Sequence, residues 1–423
     1  MATKRPYLKR LNTSFRNPLL ELAWTAADNA VSGFAAPTNR ELENLRRKSD
    51  PLADDCIRAL HLKPGTDSLK ALDDYVSQPV EEQASAAPRK FMEQVTTTPL
   101  WVDPELMKQG QKLFWKYVVL IYIILTDYGL PMGFTAGRAT DILSCTNYFS
   151  SVKGAFQRLF ETGKFVTDIM NGPEALTPLT ASGWKSAIRV RLLHTQVRLR
   201  ILAEAEKRPD LYSVEELGVP INQEDMLGTL CDFSIGVVSL LKKMQVNLSP
   251  SEITAYLHFW RFIGYLLGID DEYCRKLITE AGAGAVAGAI LNHLVDPSAS
   301  SVVTAHNLLE ALAFTPPLFW PTGAHLAVTR SLLGDRVSDS IQLPPSKWYW
   351  RLFTTCSIAV TRWILCSTIF LEQRINLAMK YGPPGMDYYV RRIWAKDALH
   401  KPATCDFVFK FLPHLASQES DDT

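Results

Sequence analysis

The chain has 423 residues, of which 47% are hydrophobic and 10% aromatic, so it can bury a large core and is not extensively disordered. Its 45 lysines and arginines balance 44 aspartates and glutamates, and a net charge of +1 gives no electrostatic reason to expect a nucleic-acid partner. The cysteines are scattered and form no C-x-x-C pair, which is typical of buried thiols in a reducing compartment.

The N-terminus predicts no secretory signal peptide, because the basic "MATKRPYLKRLNTSFRNP" is not followed by an apolar run. We therefore expect an intracellular protein, either cytoplasmic or peripherally associated with a membrane. The run "LFTTCSIAVTRWILCSTIFL" (352–371) is just long enough to span a membrane, but Arg362 near its middle favours a buried core helix. Peripheral membrane contact stays open.

The predicted elements begin with a polar segment. Residues 1–90 contain short helical pieces with Pro- and Ala-rich breaks, and they predict an N-terminal extension that wraps around the rest of the chain. The next segment, "WVDPELMKQGQKLFWKYVVLIYIILTDYG" (101–129), predicts one helix with Asp103 as its N-cap and Pro104 at its first position. Because this helix is apolar almost all round, we expect it to be central.

Further helices are predicted along the middle of the chain. The patterns indicate helices at about 151–170 and 184–207, joined by "NGPEALTPLTASG", and a helix that opens near "INQEDM". A capping box in "NLSPSEITAYLHFWRFIGYLLGI" places another helix start after Ser249, with Glu252 at its third position. "FTPPLFWPTG", "QLPPSKWYW" and "YGPPGMDYY" predict breaks between the later helices. Runs that could build a sheet are missing from the sequence, so the predicted fold class is all-α.

A histidine in "RVRLLHTQVR" (189–198) lies on an apolar face. It shares a helical stripe with four other residues, Val190, Leu193, Val197 and Ile201. Arg191 and Arg198 lie one turn before and one turn after His194. One interpretation is a core histidine bonded to a backbone carbonyl, with the arginines reaching solvent. The other is an axial ligand of a haem iron, with an arginine at a haem propionate. The spacing does not choose between them.

The helix "FQRLFETGKFVTDIM" carries polar groups on an apolar stripe. Arg158 and Thr162 are one turn apart on that stripe, whereas Glu161 lies beside Thr162 and is rotated off it. An ordinary amphipathic helix shows the same pattern, so this segment alone does not establish a site.

Five segments together resemble a known family. "PLWVDPELMKQG", "FQRLFETGKFVTDI", "GWKSAIRVRLLHTQVR", "GVPINQEDMLGTLCDFS" and "YLHFWRFIGYLLGI" are similar, in order, to motifs of the haem-dependent oxygenases typified by the bacterial latex clearing protein and the fungal endoplasmic-reticulum oxygenase of mycophenolic acid synthesis. The resemblance covers about 99–269 and continues to about residue 380. It does not explain the first ninety residues.

The resemblance implies a single multi-helix catalytic domain at 91–385, with a globin-like core around a b-type haem, followed by a C-terminal helix and polar tail at 386–423. It implies an oxidoreductase that uses O2 to cleave a carbon–carbon double bond of an apolar, isoprenoid-like or polyisoprenoid substrate. His194 matches the family's proximal iron ligand. Arg191 and Arg198, beside it, are then the candidates for further contacts with the haem.

The resemblance also assigns a distal side. Arg158 and Thr162 match an arginine and a threonine of the family's distal site. The residue before that threonine is there a lysine that can bind the iron, but here it is Glu161, which suits an acid/base role better because a carboxylate adds negative charge. The sixth iron position would otherwise be open or filled by water. For the family's other distal carboxylate the candidates are Asp141 and Glu161.

Other classes fit the sequence less well. None of the eight histidines follows a glutamate at the third position before it, which disfavours a carboxylate-bridged di-iron bundle, and no Gly-rich loop flanks a cysteine as in cytochromes P450. The remaining alternative is a non-catalytic helical protein of the same fold that binds haem or a lipophilic ligand. Oxygen consumption with an apolar olefin would separate the two.

Overall fold

The computed structural model describes residues 36–395 apart from 64–65, 146–148, 209–211, 317 and 368–369. The start of the predicted N-terminal extension and the polar C-terminal tail lie outside these residues. Within the described ranges the regular structure is helical, and strand-type pairing is limited to an isolated bridge between Ala136 and Asp296. The all-α prediction is confirmed.

The described part of the N-terminal extension is folded. It forms four α-helices and a short 3-10 helix: α1 (Asn39–Arg46), α2 (Pro51–Leu60), α3 (Ser68–Val76), Val80–Glu82 and α4 (Ala87–Thr96). Their buried side chains, such as Leu42, Leu72 and Phe91, belong to the same hydrophobic core as the helices that follow. This segment is therefore part of the core as well as a wrapping around it.

The predicted helix at 101–129 is bent. Its start is confirmed, since Asp103 accepts hydrogen bonds from the backbone of α5 (Pro104–Lys116), but the chain leaves helical geometry at Tyr117 and turns by 82°. Three short elements follow: α6 (Val118–Ile124), a π-helical turn (Leu125–Gly129) and α7 (Leu130–Phe134). The prediction of one continuous helix is wrong, because a run that is apolar all round gives no sign of where it changes neighbours.

The middle of the chain follows the predicted helices closely. In order it contains α8 (Gly137–Cys145), α9 (Val152–Ile169), a 3-10 helix (Pro173–Leu176), α10 (Ser182–Lys207), α11 (Val214–Leu217), α12 (Gln223–Cys231), a second π-helical turn (Asp232–Gly236), α13 (Val237–Lys243) and α14 (Pro250–Leu266). The Ser151 hydroxyl caps α9, and Ser249 with Glu252 forms the predicted capping box of α14. These starts are confirmed.

The last third forms α15 (Asp271–Cys274), a 3-10 helix (Arg275–Ile278), α16 (Glu280–Leu294), α17 (Ala299–Leu312), α18 (Thr322–Leu333), α19 (Asp335–Ser340), α20 (Trp348–Cys366) and α21 (Leu371–Ala395). The predicted break at "YGPPGMDYY" is wrong, since α21 continues through Pro383 and Pro384. Each proline removes a helical hydrogen bond. Here α21 packs closely on α5, because Gly382 lies so near the Trp115 ring that a Cβ atom would clash with it.

The helices around α9 and α10 determine where candidate site residues lie. α9 packs against α10, α17 and α21, while α2 and α3 cover α10. No single described helix is long and apolar enough to cross a membrane. Two bent pairs, α5 with α6–α7 and α20 with α21, reach that length and composition together.

Two buried ion pairs join α10 to the N-terminal segment. Arg191 donates to both carboxylate oxygens of Asp50, at 2.7 and 3.1 Å, and Arg198 donates to Asp54 at 2.6 Å. Both arginines are 2% exposed. A buried charge is tolerated only where a partner and further hydrogen bonds compensate its lost hydration, and Arg198 also donates to the Ile221 carbonyl.

Asp54→Ala should lower the free energy of unfolding by about 3–5 kcal/mol, because Arg198 would stay buried without its counter-charge. Urea denaturation of the purified variant measures this. Asp55→Ala is the matched control, since it breaks only an exposed pair with Arg58 and should change stability far less. Equal losses in the two variants would contradict the structural role of the Arg198–Asp54 pair.

Candidate functional site

Two neighbouring helices bring Arg158 of α9 close to His194 of α10. The helices are tied together at one point by the Ser186 hydroxyl, which donates to Asp168 at 2.6 Å. Arg158 is close enough for its positive charge to lower the pKa of His194. The two segments that the sequence singled out therefore face each other.

His194 is held in its neutral form. Burial, together with the positive charges of Arg158 and Arg198, lowers the pKa of His194 to about 3. Its Nδ1 is shielded from solvent and has no hydrogen-bond partner within the described ranges. Buried polar atoms are rarely left unpaired, and a neutral imidazole is the form that coordinates metals. The environment of His194 fits an axial ligand of a haem iron.

Glu161 pairs with Arg158. Their side chains approach to 3.3 Å, and both are partly buried. Burial raises the pKa of Glu161, and the nearby guanidinium opposes this shift only in part. The carboxyl group can therefore hold a proton more readily than an exposed glutamate.

Thr162 lines a large apolar cavity. The cavity has a volume of about 540 Å³, which is within the range of small-molecule sites. Its wall includes residues of α6, α9 and α21, together with Leu312, Thr315, Pro316 and Leu318. Arg158, Glu161 and His194 do not belong to its wall. Of the residues assigned to the distal side, Thr162 therefore lies in the cavity wall, whereas Arg158 and Glu161 lie outside it.

Three other predicted site residues have different partners in the structure. Arg191 and Arg198 donate to Asp50 and Asp54, so both guanidinium groups are engaged by carboxylates, which argues against their expected role at a haem edge. Asp141 accepts a hydrogen bond from Ser298 at 2.8 Å, next to the start of α17. Of the two candidate carboxylates, Glu161 is the one beside Arg158.

A histidine that the sequence analysis passed over lies in the cavity wall. His325 of α18 bonds through Nδ1 to Asp127 at 2.8 Å, and both side chains are buried. Its Nε2 is also buried and has no hydrogen-bond partner in the described structure. The available signal was Asp127 itself, which is the only charged residue in the apolar run 117–131.

Residues 115–363 match the family described as ER-bound oxygenase mpaB/B'/rubber oxygenase, catalytic domain. The chain belongs to this family. The matched region includes Arg158, Thr162 and His194, as well as Asp127 and His325, whereas α1–α4 precede it. The resemblance inferred from the five sequence segments is thereby confirmed.

A curated relative and a solved structure agree with this membership. The chain is 25% identical over 270 residues to the rubber oxygenase of Streptomyces sp. (strain K30), a match that spans 63% of each protein. It is similar to the latex clearing protein in the closed state, with a TM-score of 0.53 and 21% identity over 78% of this chain and 88% of that one. At this identity the structural match shows a shared all-helical fold.

Proposed function

We propose that this member of the mpaB/rubber oxygenase family is an oxidoreductase that binds a b-type haem through His194. In this proposal it uses O2 to cleave a carbon–carbon double bond of an apolar, isoprenoid-like molecule. Membership of an oxygenase family supports the reaction class. The observation that carries the haem assignment is the neutral imidazole of the half-buried His194, whose Nδ1 is shielded from solvent and has no partner among the described residues.

A bound haem would supply the redox chemistry with dioxygen that amino-acid side chains lack. His194 is suited to hold it because the two neighbouring guanidinium groups oppose protonation of the imidazole. The Asp50 and Asp54 pairs fix the arginines on either side of His194 and so limit the movement of this part of α10. These contacts keep the ligand helix rigid.

Glu161 and Thr162 would then act as polar groups at the edge of an apolar site. Glu161 occupies the position of the family's lysine, and its raised pKa suits a group that holds or releases a proton. The Thr162 side chain is on the cavity wall, where its hydroxyl can hydrogen-bond to a polar atom near the substrate. Arg158 holds the Glu161 carboxylate in place.

A second candidate function is the binding of a lipophilic molecule without chemistry, which the apolar cavity favours. Haem content alone does not separate a carrier from an enzyme. Consumption of O2 in the presence of an apolar olefin does, because a carrier would leave the oxygen concentration unchanged.

His194→Ala should abolish stoichiometric haem binding or sharply change the absorption spectrum of the iron, because it removes the proposed axial ligand. Ultraviolet–visible spectra of the purified protein, oxidised and reduced, measure this. His325→Phe is the matched control, since it alters a second histidine that has a buried ring nitrogen without a partner in the described structure. Loss of haem in His325→Phe and retention in His194→Ala would transfer the ligand role to His325.

Thr162→Ala should keep haem but lower the rate of O2 consumption with an apolar olefin, because the hydroxyl at the cavity wall is lost. An oxygen electrode measures the rate, and a conservative Thr162→Ser variant should recover most of it. Unchanged turnover in Thr162→Ala would show that the hydroxyl has no part in the reaction.

We also propose that the chain contacts a membrane through α20 and α21. These helices, with Phe370 just before α21, expose a set of apolar side chains, the α20–α21 surface: Trp348, Leu352, Trp363, Phe370, Leu377 and Tyr381. Leu377 and Tyr381 also line the cavity, so an apolar molecule could pass from a lipid layer to the interior. Exposed cations lie on or beside the same helices, at Lys347, Arg351 and Lys380, and would face anionic headgroups.

Trp363→Asp should reduce co-sedimentation with vesicles of phosphatidylcholine and phosphatidylserine, because it places a charge in the α20–α21 surface. Leu100→Asp, which changes an exposed apolar residue outside this surface, is the control and should sediment like the unmodified protein. If the unmodified protein stays in the supernatant, the membrane contact is refuted.

A further inference from the structure

The wall of the apolar cavity contains a buried polar pair that the proposed haem site does not use. Asp127 is 0% exposed and His325 is 2% exposed. The imidazole joins the cavity wall, while the Asp127 carboxylate accepts from Nδ1 behind it. Since Asp127 also accepts from Thr126 at 2.9 Å, its position is fixed by two hydrogen bonds.

This arrangement determines which ring nitrogen is available. The carboxylate accepts a hydrogen bond from Nδ1–H, so Nε2 is the nitrogen left for another partner. Burial lowers the pKa of His325, whereas Asp127 and the nearby Leu312 carbonyl raise it, and the net shift is upward. The geometry does not allow a hydrogen bond between Nε2 and that carbonyl. Nε2 is therefore buried without a partner among the described side chains and backbone groups.

The π-helical turn at Leu125–Gly129 accounts for the presence of Asp127 in an apolar helix. Such a turn inserts one residue into the helical repeat and is frequent at functional sites. Without a role for the pair, two buried titratable groups would cost stability that apolar residues of similar size would not.

The charges of the pair indicate what kind of group it would bind. The Asp127 carboxylate already faces a ring nitrogen of His325, and most of the surrounding wall is apolar. Next to the pair, a charged head group would therefore enter a region of low dielectric in which the carboxylate already has a partner. Arg374 also reaches the wall and keeps its positive charge, so an anionic head group is the alternative that the test must exclude, although the terminal nitrogens of Arg374 already donate to the carbonyls of Ile364 and Ser367.

We infer that the cavity binds an apolar molecule with one uncharged oxygen function, a hydroxyl or a carbonyl group, which hydrogen-bonds to Nε2 of His325. The apolar walls would bury the hydrocarbon part, and the single polar contact would fix its orientation. This site needs neither His194 nor haem. For the proposed oxygenase, this site would restrict the substrates to apolar molecules with one such oxygen group, and this restriction rests on the proposed function. The binding itself does not.

The test compares ligands that differ only in their head group. Decane, decanol, decanone and decanoate are titrated into the full-length protein by displacement of an environment-sensitive fluorescent probe. His325→Phe should weaken the binding of decanol and of decanone by about tenfold, because one hydrogen bond is lost. The affinity for decane should not change. His325→Gln, which keeps a hydrogen-bonding group, should weaken them less.

Thr96→Val is the matched control away from the cavity. The Thr96 hydroxyl donates to the Met92 carbonyl of its own helix, so its loss should not affect ligand binding. If His325→Phe does not fold, Asp127→Asn provides the second test. It removes the carboxylate that orients the ring, so it should weaken the binding of decanol and leave the binding of decane unchanged.

Two outcomes would overturn the inference. Equal losses for decane and decanol in His325→Phe would show that the histidine only shapes the cavity. Tightest binding of decanoate, lost in Arg374→Gln, would show a site for an anionic head group. Two measurements separate this inference from the proposed haem site. His325→Phe should keep the haem spectrum of the unmodified protein, and His194→Ala should bind decanol with unchanged affinity.

Discussion

The buried pairing of α10 with the N-terminal helices is the constraint on which the candidate site depends. Arg191 and Arg198 cannot lie in the interior unless carboxylates compensate their charge, and Asp50 and Asp54 supply that compensation. The same contacts hold α2 against α10 and fix the part of the helix that carries His194. A segment outside the matched family region therefore supports the proposed ligand helix.

α9 contributes to two environments of different chemistry. Near α10, Arg158 and Glu161 form a polar pair, and the charge of Arg158 helps to keep His194 neutral. One turn along the helix from Arg158, Thr162 contributes to an apolar cavity that has a histidine of its own. One helix thus supplies polar groups to a proposed haem site and a wall to a proposed ligand site.

Helix starts were predictable because their causes are local. Ser151, Asp103 and Ser249 bond to backbone groups two or three residues ahead, and such contacts are readable from a short window. The bend at Tyr117 and the continuation of α21 through Pro383 were not predictable. Both depend on which helices pack together, and no short segment contains that information.

The sequence by itself determined the all-helical class, most helix starts, the apolar stripe of His194 and the ordered motifs that indicate the family. These features arise from spacing along one helix or from the order of segments. Only the tertiary structure decided the partners of Arg191 and Arg198, the pairing of Glu161 with Arg158, and the contact between Asp127 and His325. That last pair is separated by 198 positions, and the two residues meet only because α18 folds back onto the π-helical turn. Charge compensation across such distances leaves no periodic trace in a sequence.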